Sequence, residues 1–327
     1  MKRPAIRPEA PGEDDRAWLG GGHLWGRRAV RLRENPSLLL GLAILAAFGA
    51  VAVWAVWQWG GSLTDTPFSL VLANTDPPLG PSAAHPFGVM SSWGVDILQV
   101  ILRATPIDLA LVGGPILLAA AFGGVIGAFA GYSGGWIDAS VLGFADIFGS
   151  VPSFLLVWVL YFGVVRWVPE QQSLPLFGIL LAVVLWPNYA QAVRALSQEV
   201  ARESFIEAAR ATGAGSLRIV RRHIYPNSVA PVFAQAPFDV YAIFFIFTLF
   251  PFINCRGFGG YRLLTALPTT LYPEWGSELG HGACFGWNVL PELNYWWMYA
   301  FPLATIVAFG VGVALFCDGA ERFFTRR

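Results

Sequence analysis

Charge is scarce in this chain. Only 13% of its 327 residues are Asp, Glu, Lys or Arg, while 55% are hydrophobic, and the mean hydropathy is +0.55. A soluble protein of this size carries about a quarter charged residues. Cysteine is almost as rare, at three residues, which excludes a disulfide framework. The four histidines, His23, His85, His223 and His281, stand apart, with no H-E-x-x-H and no Cys/His ligand spacing, so no metal site is predicted. No G-x-x-x-x-G-K-[ST] occurs, so no ATP-binding loop is expected, and neither a catalytic residue nor a cofactor is predicted. A net charge of zero gives no general attraction to nucleic acid.

What the chain has instead is long apolar runs. Ser37–Trp59 and Leu109–Tyr132 carry no charge, and each exceeds the ~20 residues a membrane-crossing helix needs. Ala139–Val165 is interrupted only by Asp146 and Pro231–Ile253 only by Asp239, while Leu174–Val193 and Tyr295–Phe316 are free of charge. The first run is too long for the core of a signal peptide and follows about 36 polar residues, so it is read as a retained helix. An all-α integral membrane protein of six transmembrane helices follows. Seventeen of the 21 basic residues lie in three places: before the first run, between the fourth and fifth, and after the sixth. Arg103, Arg166, Arg256 and Arg262 fall on the other side. The positive-inside rule therefore predicts a multi-pass protein of the cell membrane with both termini cytoplasmic.

The expected organisation is a cytoplasmic tail over 1–36, a first helix over 37–59 and an external segment over 60–104. A five-helix core over 105–317 and a short cytoplasmic end over 318–327 complete it. Within the core, an external loop over 254–294 is rich in Trp, Tyr, Gly and Pro, too apolar for a solvated linker, and is predicted to be ordered. Gly123, Gly124, Gly127 and Gly131 give a small-residue face for close helix packing. Pro152, Pro187, Pro231, Pro237, Pro251 and Pro302 interrupt four of the six runs, a pattern suited to helices that move around a path.

The intramembrane acids Asp146 and Asp239 are functional candidates by default, because a charge at the bilayer centre costs ~2.5–3.5 kcal/mol. Each is read as path-lining or structural, and Asp239 is expected near the cytoplasmic end of its helix, reaching water. Cys255 and Cys284 are read either as an external disulfide or as two free thiols, and Cys317 as packing. Trp296 and Trp297, beside Tyr295 and Tyr299, read as an interfacial aromatic belt.

One polar, Arg-rich stretch breaks the apolar pattern: Glu207–Pro226, EAARATGAGSLRIVRRHIYP. Ser204-Phe205-Ile206-Glu207 has the S-x-x-E form of a capping box, so a short helix capped by Ser204 is predicted. Gly213 ends it, a second short helix fits Ser216–Ile224, and Pro226 bars its continuation. The sequence Glu207-Ala208-Ala209, three residues, Gly213, then Pro226 thirteen residues later, resembles the EAA loop of ABC-importer permeases.

From about Asn35 onward the chain resembles the second permease subunit of dipeptide, oligopeptide and nickel ABC importers, the OppC/DppC group. The resemblance rests on Asn35-Pro36, His85-Pro86-Phe87-Gly88, Trp93–Asp96, Gly131–Asp138, Asp146, Ser150–Ser153, His223–Asn227 and Asp318-Gly319, in order. It departs from the group over Gly88–Asp96, over Pro251–Gly257 and in the length of the 254–294 loop. The resemblance implies a type I ABC-importer permease fold and a path shared with a second, homologous permease subunit in the lipid bilayer. It further implies two cytoplasmic ATP-binding subunits that hydrolyse the ATP, and an external solute-binding protein. Coupling to the ATPase would run through Glu207, Ala208, Ala209, Gly213 and Pro226 in the loop 199–227. Peptides are the implied cargo. Oligosaccharides or a chelated metal such as nickel are the alternative, and a non-transporting membrane scaffold or sensor on the same fold is the alternative of another class.

Overall fold

A computed structural model describes residues 35–60, 79–90, 95–164, 167–169, 172–255, 274–284 and 295–325. Helix α1, Pro36–Trp59, begins where Asn35 caps it: Pro36 has no N–H to satisfy, and Asn35 Oδ1 accepts from the Leu38 N–H at 3.4 Å. The Asn35 amide also donates to the Gly319 carbonyl at 2.8 Å, tying the first helix to the last. Glycines let these two helices touch: a Cβ at Gly41 would lie 2.2 Å from the Phe316 nitrogen. The two sequence motifs at opposite ends of the chain, Asn35-Pro36 and Asp318-Gly319, are thus one structural joint.

Helix α2 runs over Ile97–Ser133, starting twelve residues before the predicted Leu109. Its start is fixed by Asp96, whose Oδ1 accepts the Gln99 N–H at 3.0 Å and whose Oδ2 lies 2.7 Å from His85 Nδ1. A two-residue antiparallel pairing, β1 (Val89–Met90) with β2 (Val95–Asp96), delivers the chain to that cap, with Val89 opposite Asp96 and Met90 opposite Val95. Of the expected external segment 60–104, residues 97–104 belong to α2, and Ile97, Val100, Ile101 and Ala104 are buried in the core.

The small-residue face behaves as read. A Cβ at Gly123, Gly127 or Gly131 would lie 2.2–2.6 Å from the carbonyls of Trp186, Ala190 and Arg194. Those three carbonyls repeat at the same spacing along α5 (Ser173–Val200), so two backbones meet along three successive turns.

The predicted third span is not one helix. It is α3 (Gly135–Gly149) and α4 (Ser153–Val164), bent by 87° at Ser150–Pro152. Pro152 lacks the N–H a continuing helix needs, and its carbonyl starts the next helix by accepting from Leu155 and Leu156. Two short helices, α6 (Ser204–Ala211) and α7 (Ser216–Ile219), follow. A π turn over Val220–Ile224 leads into α8, Tyr225–Ser228. The spans α9 (Pro231–Cys255) and α11 (Trp297–Thr325) flank a ten-residue helix, α10, Trp275–Cys284. Five helices are long and apolar enough to cross a membrane, or six if the bent pair is one span. The protein is a multi-pass membrane protein.

α10 is not a surface cap. Its Trp275 is wholly buried against Phe48, Phe244 and Phe309, with ring centroids 5.4–5.8 Å apart. Those three residues sit at mid-length in α1, α9 and α11. Its other end meets the start of α11, where a Cβ at Gly282 would lie 2.2 Å from the Met298 carbonyl. Ten residues rise about 15 Å, half a bilayer core. α10 is a half-helix running from the start of α11 to the mid-length of the bundle.

Candidate coupling surface and membrane path

The segment from Ser204 to Ser228 is built as a rooted handle. Ile206, Ile219, Val220 and Ile224 are buried together with Ala128 of α2 and Val193 of α5. Ser228 extends the root by accepting from the Ser197 hydroxyl at 2.8 Å, and Arg210 Nε donates to the Tyr132 hydroxyl in the last turn of α2. Its guanidinium lies 4.9 Å from the Tyr132 ring centroid.

The turn follows from Gly213, whose φ of +81° is the left-handed conformation that glycine adopts without strain. It lets Gly213 N–H reach the Arg210 carbonyl and Ala214 N–H reach that of Ala209. The capping box does not form. Ser204 is the first helical residue, the cap position is Glu203, and no side chain caps the helix. Glu207 is consequently exposed, with its carboxylate unused by the fold among the described residues. Nor does Pro226 end the second helix. The chain widens instead into the π turn, where Tyr225 N–H bonds five residues back to Val220, and Pro226 enters the first turn of α8. The wider turn makes room for a ring that clashes with the carbonyl four residues before it.

The opposite face of the handle is bare. Leu217 is 74% exposed and Phe205 38% exposed, flanked by exposed Glu207, Ala208, Arg218 and Arg221. Apolar knobs ringed by charge on a polar surface are the pattern of a protein contact.

The two candidate acids part company. Asp239 does not reach water: it is 2% exposed, accepts from Gln235 Nε2 at 3.1 Å, and lies inside the bundle. Asp146 is exposed on α3, one turn before the bend, beside the exposed Ser150. The residues around it, Phe144, Ile147, Val151, Leu155 and Val159, are exposed as well, so this face of the bent pair has no cover within the chain. In the first turn of α3, Asp138 is held by Arg194 through two bonds, from Nε and from Nη2 (2.6 Å), and by Gln198 at 3.2 Å.

Cys255 ends α9 and Cys284 ends α10. Their side chains lie outside the described residues, as do the tail 1–34 and most of the 254–294 loop. Cys317 is buried. Trp297 packs over Gly88 at the base of the β pairing, while Trp296 is 43% exposed. Among the described residues no three His, Cys, Asp or Glu groups converge as metal ligands.

Sequence reasoning missed Asp108, Glu274 and Glu278, all buried. Asp108 falls one residue before the charge-free run that marked the second span, and the two glutamates read as loop acids. Their periodicity carried no signal, because the helix that buries them is short and flanked by glycine-rich loop.

Comparison with known proteins agrees with this geometry. Residues 123–327 match the family model described as "Binding-protein-dependent transport system inner membrane component". The chain belongs to this family. The permease is 32% identical to the dipeptide transport system permease protein DppC of Alkalihalophilus pseudofirmus over 212 residues, covering 65% of this chain and 66% of that relative. It is 27% identical to the oligopeptide transport system permease protein OppC of Bacillus subtilis over 303 residues, 90% of this chain and 87% of the relative. The nickel transport system permease protein NikC of Escherichia coli K12 is 27% identical over 293 residues, 87% of this chain and 94% of the relative. The permease is thus an ABC-importer membrane component whose similar proteins are named for peptides and for nickel.

Proposed function

We propose that this permease forms half of the membrane path of a peptide importer and takes its drive from a cytoplasmic ATPase through the Ser204–Pro226 handle. The observation that carries the coupling role is the two-faced handle. Ile206 and Ile219 root it in the spans, while Phe205, Glu207 and Leu217 stand free. A push on the free face moves α2 and α5, which the root grips directly. Glu207, Ala208, Ala209, Gly213 and Pro226 carry this role: two as contact surface, one as helix packing, and the glycine and proline as the bends that aim the helices. Two ATP-binding subunits, a homologous second permease and an external binding protein complete the assembly, with both termini of this chain cytoplasmic.

The path itself runs along the bent pair. A carboxylate and a broken backbone are not stable against lipid tails, so Asp146, Ser150 and the Ser150–Pro152 bend face either protein or a water-filled route. The second permease covers the apolar part of this face and leaves Asp146 on the route between them. Asp239, enclosed within the bundle, is structural. Peptide cargo is supported by the dipeptide and oligopeptide relatives; chelated nickel is the second reading, favoured by the match over 94% of the nickel relative's length.

The test is uptake into proteoliposomes holding both permeases, the ATPases and the binding protein. Labelled peptide should enter in an ATP-dependent way, and a hydrophilic thiol reagent should block a cysteine placed at Ser150 in a cysteine-free chain. Peptide uptake unaffected by that block places the route elsewhere; uptake of nickel alone reverses the choice of cargo.

A further inference from the structure

Three buried carboxyl groups surround the inner tip of the half-helix α10. Glu274 sits before its first residue and accepts the N–H groups of Gly276 at 2.8 Å and Ser277 at 2.5 Å. Asp108 comes from α2, and its Oδ2 accepts the Trp275 N–H at 3.0 Å. Glu278 lies one turn further along α10, with its N–H bonded to the Glu274 carbonyl. Asp108 and Glu274 are wholly buried and Glu278 is 6% exposed.

The positive end of a helix dipole offsets about half an elementary charge. That does not neutralise three carboxylates in a site that excludes water. No cation answers them among the described residues. α1 contributes Phe48 to the surroundings, α9 contributes Phe244 and Phe247, and α11 contributes Phe309. The other charged groups on the outer half of α2 are engaged elsewhere: Asp96 with His85, and Arg103 with its guanidinium 4.8 Å from the Trp59 ring centroid.

An independent observation points to what fills the deficit. The second oxygen of Asp108, Oδ1, is buried without a hydrogen-bond partner. A bare carboxylate oxygen in such a site costs more than a hydroxyl, so it is where a proton belongs. We propose that Asp108, Glu274 and Glu278 form a proton-binding site whose occupancy holds α10 seated between α2, α9 and α11.

The sign follows. A carboxyl that holds a proton when seated and ionises when α10 opens to water favours the seated form in acid and loses that contribution as pH climbs. Acidic conditions therefore seat α10 and alkaline conditions loosen it.

Hydrogen exchange of residues 275–284, measured on the full-length permease in lipid nanodiscs and corrected for intrinsic pH dependence, reads this directly. Opening is expected to rise at least tenfold from pH 5.5 to 8.5. The double substitution Asp108→Asn with Glu278→Gln should leave α10 equally protected at both pH values. Wild-type exchange that ignores pH, or the same pH dependence in the double variant, overturns the proposal. Infrared spectroscopy needs no variant: a buried protonated-carboxyl band should be present at pH 6 and diminish by pH 8.5, and its absence at pH 6 is equally fatal.

Discussion

Gly127 and Glu207 illustrate two ways a residue matters here, one by what it lacks and one by what it leaves unused. A side chain at Gly127 would occupy the space of the Ala190 carbonyl, 2.2 Å from its Cβ, and backbone cannot move aside as a side-chain tip can. Gly127→Ala should therefore part α2 from α5 and lower stability by about 1–3 kcal/mol, the usual cost of overpacking. Gly49→Ala, where nothing lies within 4 Å, is the matched control and should leave the melting temperature in detergent unchanged or raised. Equal melting of the two variants would show that the close approach is not holding the spans. Glu207, with no cap to supply, should be replaceable by Gln or Ala at a stability cost within ~0.5 kcal/mol. Any loss of transport in those variants then belongs to a partner contact rather than to folding.

At the scale of helices, the sequence was informative wherever charge was absent and misled where a buried charge lay at the edge of a run. The spans α1, α5 and α11 follow from uninterrupted apolar runs, and α9 from a run broken only by Asp239. The start of α2 was misplaced because Asp108 looked like a boundary, and only its contact with Trp275, 167 positions away, shows why it is tolerated. The bend at Pro152 was equally hidden. Pro187 and Pro302 sit inside helices that continue through them, so proline alone does not announce a break. The capping box failed because the helix begins at Ser204 itself, which moves the cap to Glu203. The two short helices of the handle were legible because Gly213 has a single physical role there. Gly213→Ala meets no steric obstacle but forces a side chain to φ +81°, a strain of about 1 kcal/mol or more. The variant should assemble normally, re-aim α7 relative to α6, and reduce ATP-dependent uptake. Full uptake would mean that the angle between the two helices is not used.

For the whole molecule, the orientation rests on the charge distribution, and the handle's role rests on the orientation. A cysteine at Ser82, exposed ahead of the β pairing, should react with a membrane-impermeant maleimide added outside intact cells. One at Ser216, in the handle, should react only after the membrane is opened. The reverse pattern would put the handle on the wrong side to meet an ATPase. The central claim is that ATP-driven motion enters through the handle's free face, and cargo-stimulated ATP hydrolysis by the reconstituted importer tests it most directly. With Glu207→Ala in this permease, the stimulated rate should fall about tenfold, the effect of losing one charge-assisted contact of ~1.4 kcal/mol, while the complex still purifies intact. Hydrolysis at the wild-type rate, still stimulated by cargo, would contradict it.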